Sequence, residues 1–205
     1  MSNIIFDFDG TIADSFTVVV NTFFKMTGRT QKVSASEIKR LRGLPMLRVA
    51  RELDVRIWRI PILLRRGRRM IRSQMNQIEP FAGMPEVIRA LQADGHRLYI
   101  MSSNSVQNIQ LFLQEHDLNR EFIRIYGSVG VLGKARVLRK IVRHNRLDIA
   151  DTYYVGDEVR DVAGAKHAHV KAVAVGWGYN SAHILRMHHP GYVAKKPNDI
   201  LNFFE

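Results

Sequence analysis

The chain contains no cysteine. That absence removes disulfides, thiolate metal ligands and cysteine nucleophiles together, and it suits a reducing compartment. No apolar run approaches the roughly 18 residues that a membrane span requires. Nor does a basic n-region lead into a long apolar stretch at the start, so neither a signal peptide nor a membrane segment is expected and the cytoplasm is the expected location. Internal repeats and low-complexity tracts are missing as well. Negative charge is scarce in one region above all. Between Ser15 and Ala82 only 4 Asp/Glu stand against 15 Lys/Arg, which accounts for nearly the whole net charge of +12. The rest of the chain is close to neutral, and this shift in charge marks a separate region.

What is present suits a globular fold. At 205 residues, with 46% hydrophobic and 24% charged, the chain is long enough for one large domain or a core with a smaller insert. It is organised around Asn3 to Ser15, where a short apolar run ends in Asp7 and Asp9, followed by Gly10 and Thr11. Alternation along a strand predicts that Asp7 and Asp9 point to one side. Two carboxylates so close together need a metal ion, a shared proton or good solvation.

The remaining pattern alternates strands and helices. Phe16 to Met26 reads as a helix capped by Asp14 or Ser15. Ser34 to Leu41 reads as a second, broken by Gly43 and Pro45, and Met46 to Leu53 resumes the pattern. Pro61 suits the first turn of a helix reaching about Met75. After the turn-rich boundary from Pro80 to Pro85, strands are predicted at Arg97–Met101, Phe122–Tyr126, Thr152–Val155 and Val170–Val175. Helices are predicted at Glu86–Ala93, Val106–His116, Ala135–His144 and Asp161–Ala168. The implied fold class is α/β, a Rossmann-like doubly wound parallel sheet with an inserted helical cap. Residues 1–14 and 85–205 form the expected core, and 15–84 the insert. Ligands in such sheets bind at the carboxyl ends of the strands. That rule gathers Asp7, Asp9, Ser102, Ser103, Lys134, Asp157, Glu158 and Asp161 on one rim.

Four ordered stations carry a family resemblance. Asp7-Phe8-Asp9-Gly10-Thr11, the hydroxyl residue Ser102 after the second strand, Lys134, and Gly156-Asp157 followed by Asp161 resemble the four motifs of the haloacid dehalogenase superfamily, in its phosphatase branch. The resemblance spans essentially the whole chain and is nearest to the phosphoglycolate-phosphatase-like members. It implies a phosphatase with Mg²⁺ as cofactor and a small phosphomonoester as substrate.

The chemistry is consistent with that resemblance. A phosphate monoester repels nucleophiles, so a site needs cations around its oxygens and an in-line attacking atom. Asp7 is the candidate nucleophile, forming an aspartyl-phosphate. Asp9 is the candidate acid and base, protonating the leaving oxygen and then activating water. Dehalogenases of the superfamily lack an acid at that second position, because halide leaves without a proton. Clustered carboxylates call for a hard cation, and beside phosphate Mg²⁺ is the default. By resemblance its ligands are Asp7, the Asp9 backbone carbonyl, Asp157 and Asp161, with Glu158 able to replace or supplement Asp157. The resemblance also has Ser102 binding a phosphoryl oxygen and Lys134 neutralising phosphate and Asp7. Substrate contacts are expected from Gly10, Thr11, Ser103, Asn104 and Arg42.

Blander roles compete with some of these. Asp14 reads as a cap, Thr11 as support for its turn, and Asp157 and Asp161 alone would pass for acids favoured at a helix start. His167, His169, His183, His188 and His189 read as surface residues rather than a transition-metal site, and Trp177 as loop packing. By resemblance the insert is a cap that closes over the site and sets specificity. After Gly43, sugar-phosphate mutases commonly place a basic residue, and here Leu44, Pro45 and Met46 follow. The Arg65–Arg69 run and Arg72 admit a solvated helix face, an electrostatic lure for an anionic substrate, or contact with nucleic acid or an acidic partner. The run lacks the interleaved aromatics of a single-strand stacking platform. A nucleic-acid-associated or regulatory binding protein and a phosphomutase are therefore the alternatives to a phosphatase. Oligomeric state is not legible.

Overall fold

The short apolar runs of the sequence meet in a single parallel sheet. The computed structural model describes residues 1–28, 33–41, 44, 48, 51–52, 60–130 and 133–204. Its strands are β1 (Asn3–Phe6), β2 (Arg97–Met101), β3 (Arg124–Tyr126), β4 (Thr152–Gly156), β5 (Lys171–Val175) and β6 (Tyr192–Ala194). They lie in the order β3-β2-β1-β4-β5-β6 with every pairing parallel. This is the Rossmann order, and the order reverses between β1 and β4. The crevice opened by that reversal lies where Asp7 leaves β1 and Asp157 leaves β4.

Helices cover both faces. They are α1 (Phe16–Met26), α2 (Ala35–Leu41), α3 (Ile60–Arg72), α4 (Met84–Ala93), α5 (Val106–Glu115), α6 (Lys134–His144), α7 (Val159–Ala168), α8 (Ala182–Met187) and α9 (Asn198–Phe204), with a 3₁₀ turn at Met75–Gln77. β1 is buried along its whole length, and its two faces feed two cores. Ile4 and Phe6 pack with Val87, Ile88 and Leu91 of α4 and with Phe112 of α5. Ile5 packs on the other side with Tyr99, with Leu138 and Ile141 of α6 and with Val162 of α7. A period of two along four residues therefore builds both layers and holds the following loop rigidly.

Most sequence expectations survive to within a few residues, and the differences have physical causes. The strand expected at Phe122–Tyr126 shortens to β3, which occupies the end of the sheet and pairs only with Tyr99–Met101 of β2. The helix expected to reach Met75 ends at Arg72. β6, α8 and α9 were not anticipated: β6 is three residues long and α8 six, too short for periodicity to register. The helix expected over Met46–Leu53 lies mostly outside the described residues, as does Arg42. No described helix is long and apolar enough to cross a membrane.

Between β1 and α4 the described elements add helices and no strand. Phe16, Val20, Phe23 and Phe24 of α1 pack with Val33 and Leu41 into a third cluster, which Tyr179 joins from beyond β5. α1 packs against α3, where a side chain at Gly67 would meet Met26 Cε at 3.3 Å. Across from α3, Asn108 of α5 donates its amide to the Arg68 carbonyl at 2.9 Å. That bond ties α3 to α5.

Candidate active site

The loop after β1 is shaped by its own backbone. The Phe8 carbonyl accepts hydrogen bonds from the Ile12 and Ala13 amides at 3.0 Å, and the Gly10 amide donates to the Ala13 carbonyl at 2.9 Å. Gly10 has φ +80°, and a Cβ there would lie 2.2 Å from Asp157 Oδ2. The turn needs glycine for its conformation and for close approach. Gly10→Ala is expected to destabilise the fold by about 1–3 kcal/mol through backbone strain, read as a lower denaturant midpoint; an unchanged midpoint would count against it.

Asp7 and Asp9 lie just beyond the strand and take different partners. The strand ends at Phe6, so the turn rather than the pleat aims the second carboxylate. Asp7 faces Lys134, whose Nζ lies 2.5 Å from Asp7 Oδ2, while its other oxygen accepts the Phe8 amide at 2.8 Å. Asp9 accepts a hydrogen bond from Ser15 Oγ at 2.8 Å and from Asn104 Nδ2 at 3.2 Å. Of the two caps expected for α1, Asp14 or Ser15, Ser15 takes the N-cap position, but its backbone is already helical, at φ −88° and ψ −7°, with no side-chain cap bond, and its hydroxyl donates to Asp9.

Three buried carboxylates gather around one lysine. Asp7, Asp157 and Asp161 each offer an oxygen within 4.8 Å of the others. Lys134, at the start of α6, donates to Asp7, to Asp161 and to the Tyr154 hydroxyl, the last at 3.1 Å. Burial pushes Asp7 up from 3.8 to about 7, against the pull of Lys134. Asp157 is raised well above the usual range by burial and then by the charges of Glu158, Asp161 and Asp7. Burial acts to lower Lys134, but Asp161 and Asp7 outweigh it and hold the ammonium. One ammonium does not balance three carboxylates in a dry site. The all-oxygen donor set fits a hard divalent cation in their midst. Asp9 is raised too, by burial, with Ser15 and Asn104 opposing.

Other expected site residues fall into place around these, some in different roles. Thr11 is fully buried and donates Oγ1 to Asp157 Oδ1 at 2.9 Å, so it holds that carboxylate rather than facing a substrate. The Tyr179 amide holds the other oxygen at 2.7 Å. Glu158 is not in the carboxylate cluster. Its Oε1 pairs with Arg160 at 2.5 Å, and its amide donates to Asp161 Oδ2 at 2.9 Å, so it opens α7 and steadies Arg160. Ser102 is fully buried and its Oγ accepts the Asn104 amide at 3.0 Å. Asn104 is turned toward Asp9. The five histidines singled out in the sequence are exposed, and Trp177 donates its indole N–H to the Thr11 carbonyl at 3.1 Å, packing the loop as read.

Beside Asp9 lies a small cavity of about 70 Å³. Ser103, Asn104, Arg160 and Tyr179 line it from the loops and helix beside the sheet, and Phe23 of α1 with Arg68 and Ile71 of α3 from the other side. Sequence reading missed Ser15, Tyr179, Arg160 and Arg68 as site residues. Tyr179 had a usable signal, since it follows Gly176-Trp177-Gly178 at the carboxyl end of β5. Arg160 sits inside the fourth motif, while Arg68 is hidden in an arginine-rich run.

Known proteins share both the sequence and the fold. The profile of the family "Haloacid dehalogenase-like hydrolase" matches residues 4–175. A phosphoglycolate phosphatase of Synechococcus elongatus is 33% identical over 204 residues, covering 98% of this chain and 96% of its own. A 5'-nucleotidase of Pseudomonas aeruginosa is 26% identical, covering 92% of this chain and 88% of its own. A haloacid dehalogenase-like family protein of Streptococcus pneumoniae superposes with a TM-score of 0.82 at 23% identity, over 100% of this chain and 99% of that one, which speaks to the fold alone. With the sheet order, the acid two residues after Asp7 and these matches in agreement, the chain belongs to the haloacid dehalogenase-like hydrolases and is an enzyme of their phosphatase branch.

Proposed function

We propose that this enzyme is a Mg²⁺-dependent phosphatase that hydrolyses a small phosphomonoester of the phosphoglycolate type through an aspartyl-phosphate on Asp7. The observation that carries the reading is the pairing of Asp7 with Lys134 at 2.5 Å inside the buried carboxylate cluster, with Asp9 held apart by Ser15 and Asn104. The 33% identical phosphoglycolate phosphatase supports the substrate type.

In this reading Asp7, Asp157 and Asp161 hold the cation together with the Asp9 backbone carbonyl. Bound there, Mg²⁺ supplies positive charge to the phosphoryl oxygens and to the Asp7 carboxylate. An Asp7 oxygen attacks phosphorus, and the bond from phosphorus to the leaving oxygen breaks. Asp9 gives its proton to that oxygen, a task that its burial-raised pKa suits. Water then attacks the acyl phosphate, Asp9 takes a proton from it, and inorganic phosphate leaves with Asp7 restored. Lys134 spreads charge from Asp7 and the phosphoryl group, and Ser102 with Ser103 bounds the phosphoryl side. Residues 15–84 act as a cap on the core formed by 1–14 and 85–205, keeping bulk water from the intermediate.

The test is phosphate release from a metabolite panel containing phosphoglycolate, sugar phosphates and nucleotides. Chelation with EDTA is expected to abolish release and added Mg²⁺ to restore it. Full activity after exhaustive chelation would remove the metal from the reading. Return of the phosphoryl group to the substrate, with no free phosphate, would identify a mutase instead.

A further inference from the structure

We propose that Arg68 of α3 and Arg160 of α7 recognise a second anionic group on the substrate, so that the preferred phosphomonoester carries a carboxylate or a second phosphate at its far end. This deepens the phosphatase reading above and rests on it for the position of the reacting phosphoryl group.

Both arginines line the cavity that also exposes Asp9, and in both the Nε atom is buried without a hydrogen-bond partner. A buried, unpaired donor on a charged group is unfavourable. Guanidinium forks match the geometry of carboxylate and phosphate oxygens and stay charged at any working pH. Each is also held in place, Arg160 through one nitrogen of its guanidinium and Arg68 through its backbone. Arg160 is held by Glu158 at 2.5 Å. The backbone at Arg68 is held by Asn108, whose amide donates to the Arg68 carbonyl and to Asn104 Oδ1, both at 2.9 Å. Asn104 in turn donates to Asp9. A chain of hydrogen bonds thus sets the helix carrying Arg68 at a defined distance from the group that protonates the leaving oxygen. The two arginines are therefore placed to read the leaving-group end of the substrate. Arg65 and Arg69, exposed on the same helix, do not line this cavity.

The experiment compares kcat/KM for 2-phosphoglycolate, ethylene glycol bisphosphate and ethyl phosphate. The first two carry a distal carboxylate and a distal phosphate, and the third is of similar size with a neutral tail. Wild-type enzyme is expected to prefer one or both distal anions over ethyl phosphate by about ten- to a hundredfold, the worth of a charge-assisted hydrogen bond; which one wins identifies the anion. Arg68→Met is expected to erase most of that preference, while Arg65→Met keeps it. No preference in wild type, an unaltered preference in Arg68→Met, or an equal loss in Arg65→Met would each overturn the proposal. If wild type releases phosphate from none of the three, the phosphatase reading fails separately, and calorimetric binding of the same compounds then decides for Arg68. Tighter binding of a distal anion that Arg68→Met abolishes supports it, and equal binding of all three removes it. Circular dichroism and the melting curve of Arg68→Met show whether the variant is folded.

Discussion

Asp7→Asn is expected to lower kcat for any phosphomonoester by roughly 10⁴-fold or more, the scale seen when a nucleophile is removed from a site that otherwise stays intact. An amide oxygen has too little charge to attack phosphorus, and no neighbour can replace it. Asp9 is turned toward Ser15 and Asn104, and Asp161 is engaged by Lys134. The same variant makes a second, opposite prediction about stability. Burial raises Asp7 to about 7 from its ordinary 3.8, so in cation-free protein the folded state holds this proton more tightly than the unfolded chain. Stability from that group is fully present below about pH 3.8 and is lost as pH rises toward 7. Asp7→Asn removes the ionisation, so cation-free variant should unfold at higher denaturant than wild type at pH 8, with the difference vanishing near pH 4. Wild-type turnover in this variant would end the nucleophile assignment, and a stability gap independent of pH would end the electrostatic account.

The frame of the molecule was legible because its signals are long or repeated. β2 and α1 fall on the residues that their patterns mark, and the rule that ligands sit at strand carboxyl ends located Asp7, Lys134, Asp157 and Asp161 in one place. What could not be read was direction. Nothing in the spacing of Asp7 and Asp9 says that the chain leaves the strand at Phe6 or that the two carboxylates take different partners. Ser15 stands at the N-cap position of α1, where a serine hydroxyl usually bonds the helix's own amides, and nothing local says that it turns away from them. Only the fold brings it within 2.8 Å of Asp9. Glu158 stands next to Asp157 in sequence, yet successive residues after a strand face different ways, and it turns to Arg160. The insert shows the same limit in charge. Fifteen basic residues between Ser15 and Ala82 look alike in sequence, while Arg68 alone of the described arginines in α3 lines the cavity.

Asp9→Asn is expected to separate the two halves of the reaction. With an alkyl phosphate, both bond breaking and the later attack of water need Asp9, so kcat should fall by about 10²- to 10⁴-fold. With p-nitrophenyl phosphate the leaving oxygen departs without a proton, and the first half can proceed while water attack stays slow. The variant should then release one nitrophenol per site in a burst and accumulate protein heavier by one phosphoryl group, seen by mass spectrometry. Asn retains an oxygen in the place of Asp9 Oδ1, which can accept both the Ser15 hydroxyl and the Asn104 side-chain amide, so the loop should keep its shape. Because Asp9 is expected to meet the cation only through its backbone carbonyl, Mg²⁺ affinity should change little. Normal turnover would refute the acid and base role outright. Loss of Mg²⁺ binding alongside activity would show instead that the Asp9 carboxylate belongs with Asp7, Asp157 and Asp161, and that its bonds to Ser15 and Asn104 give way when the cation enters.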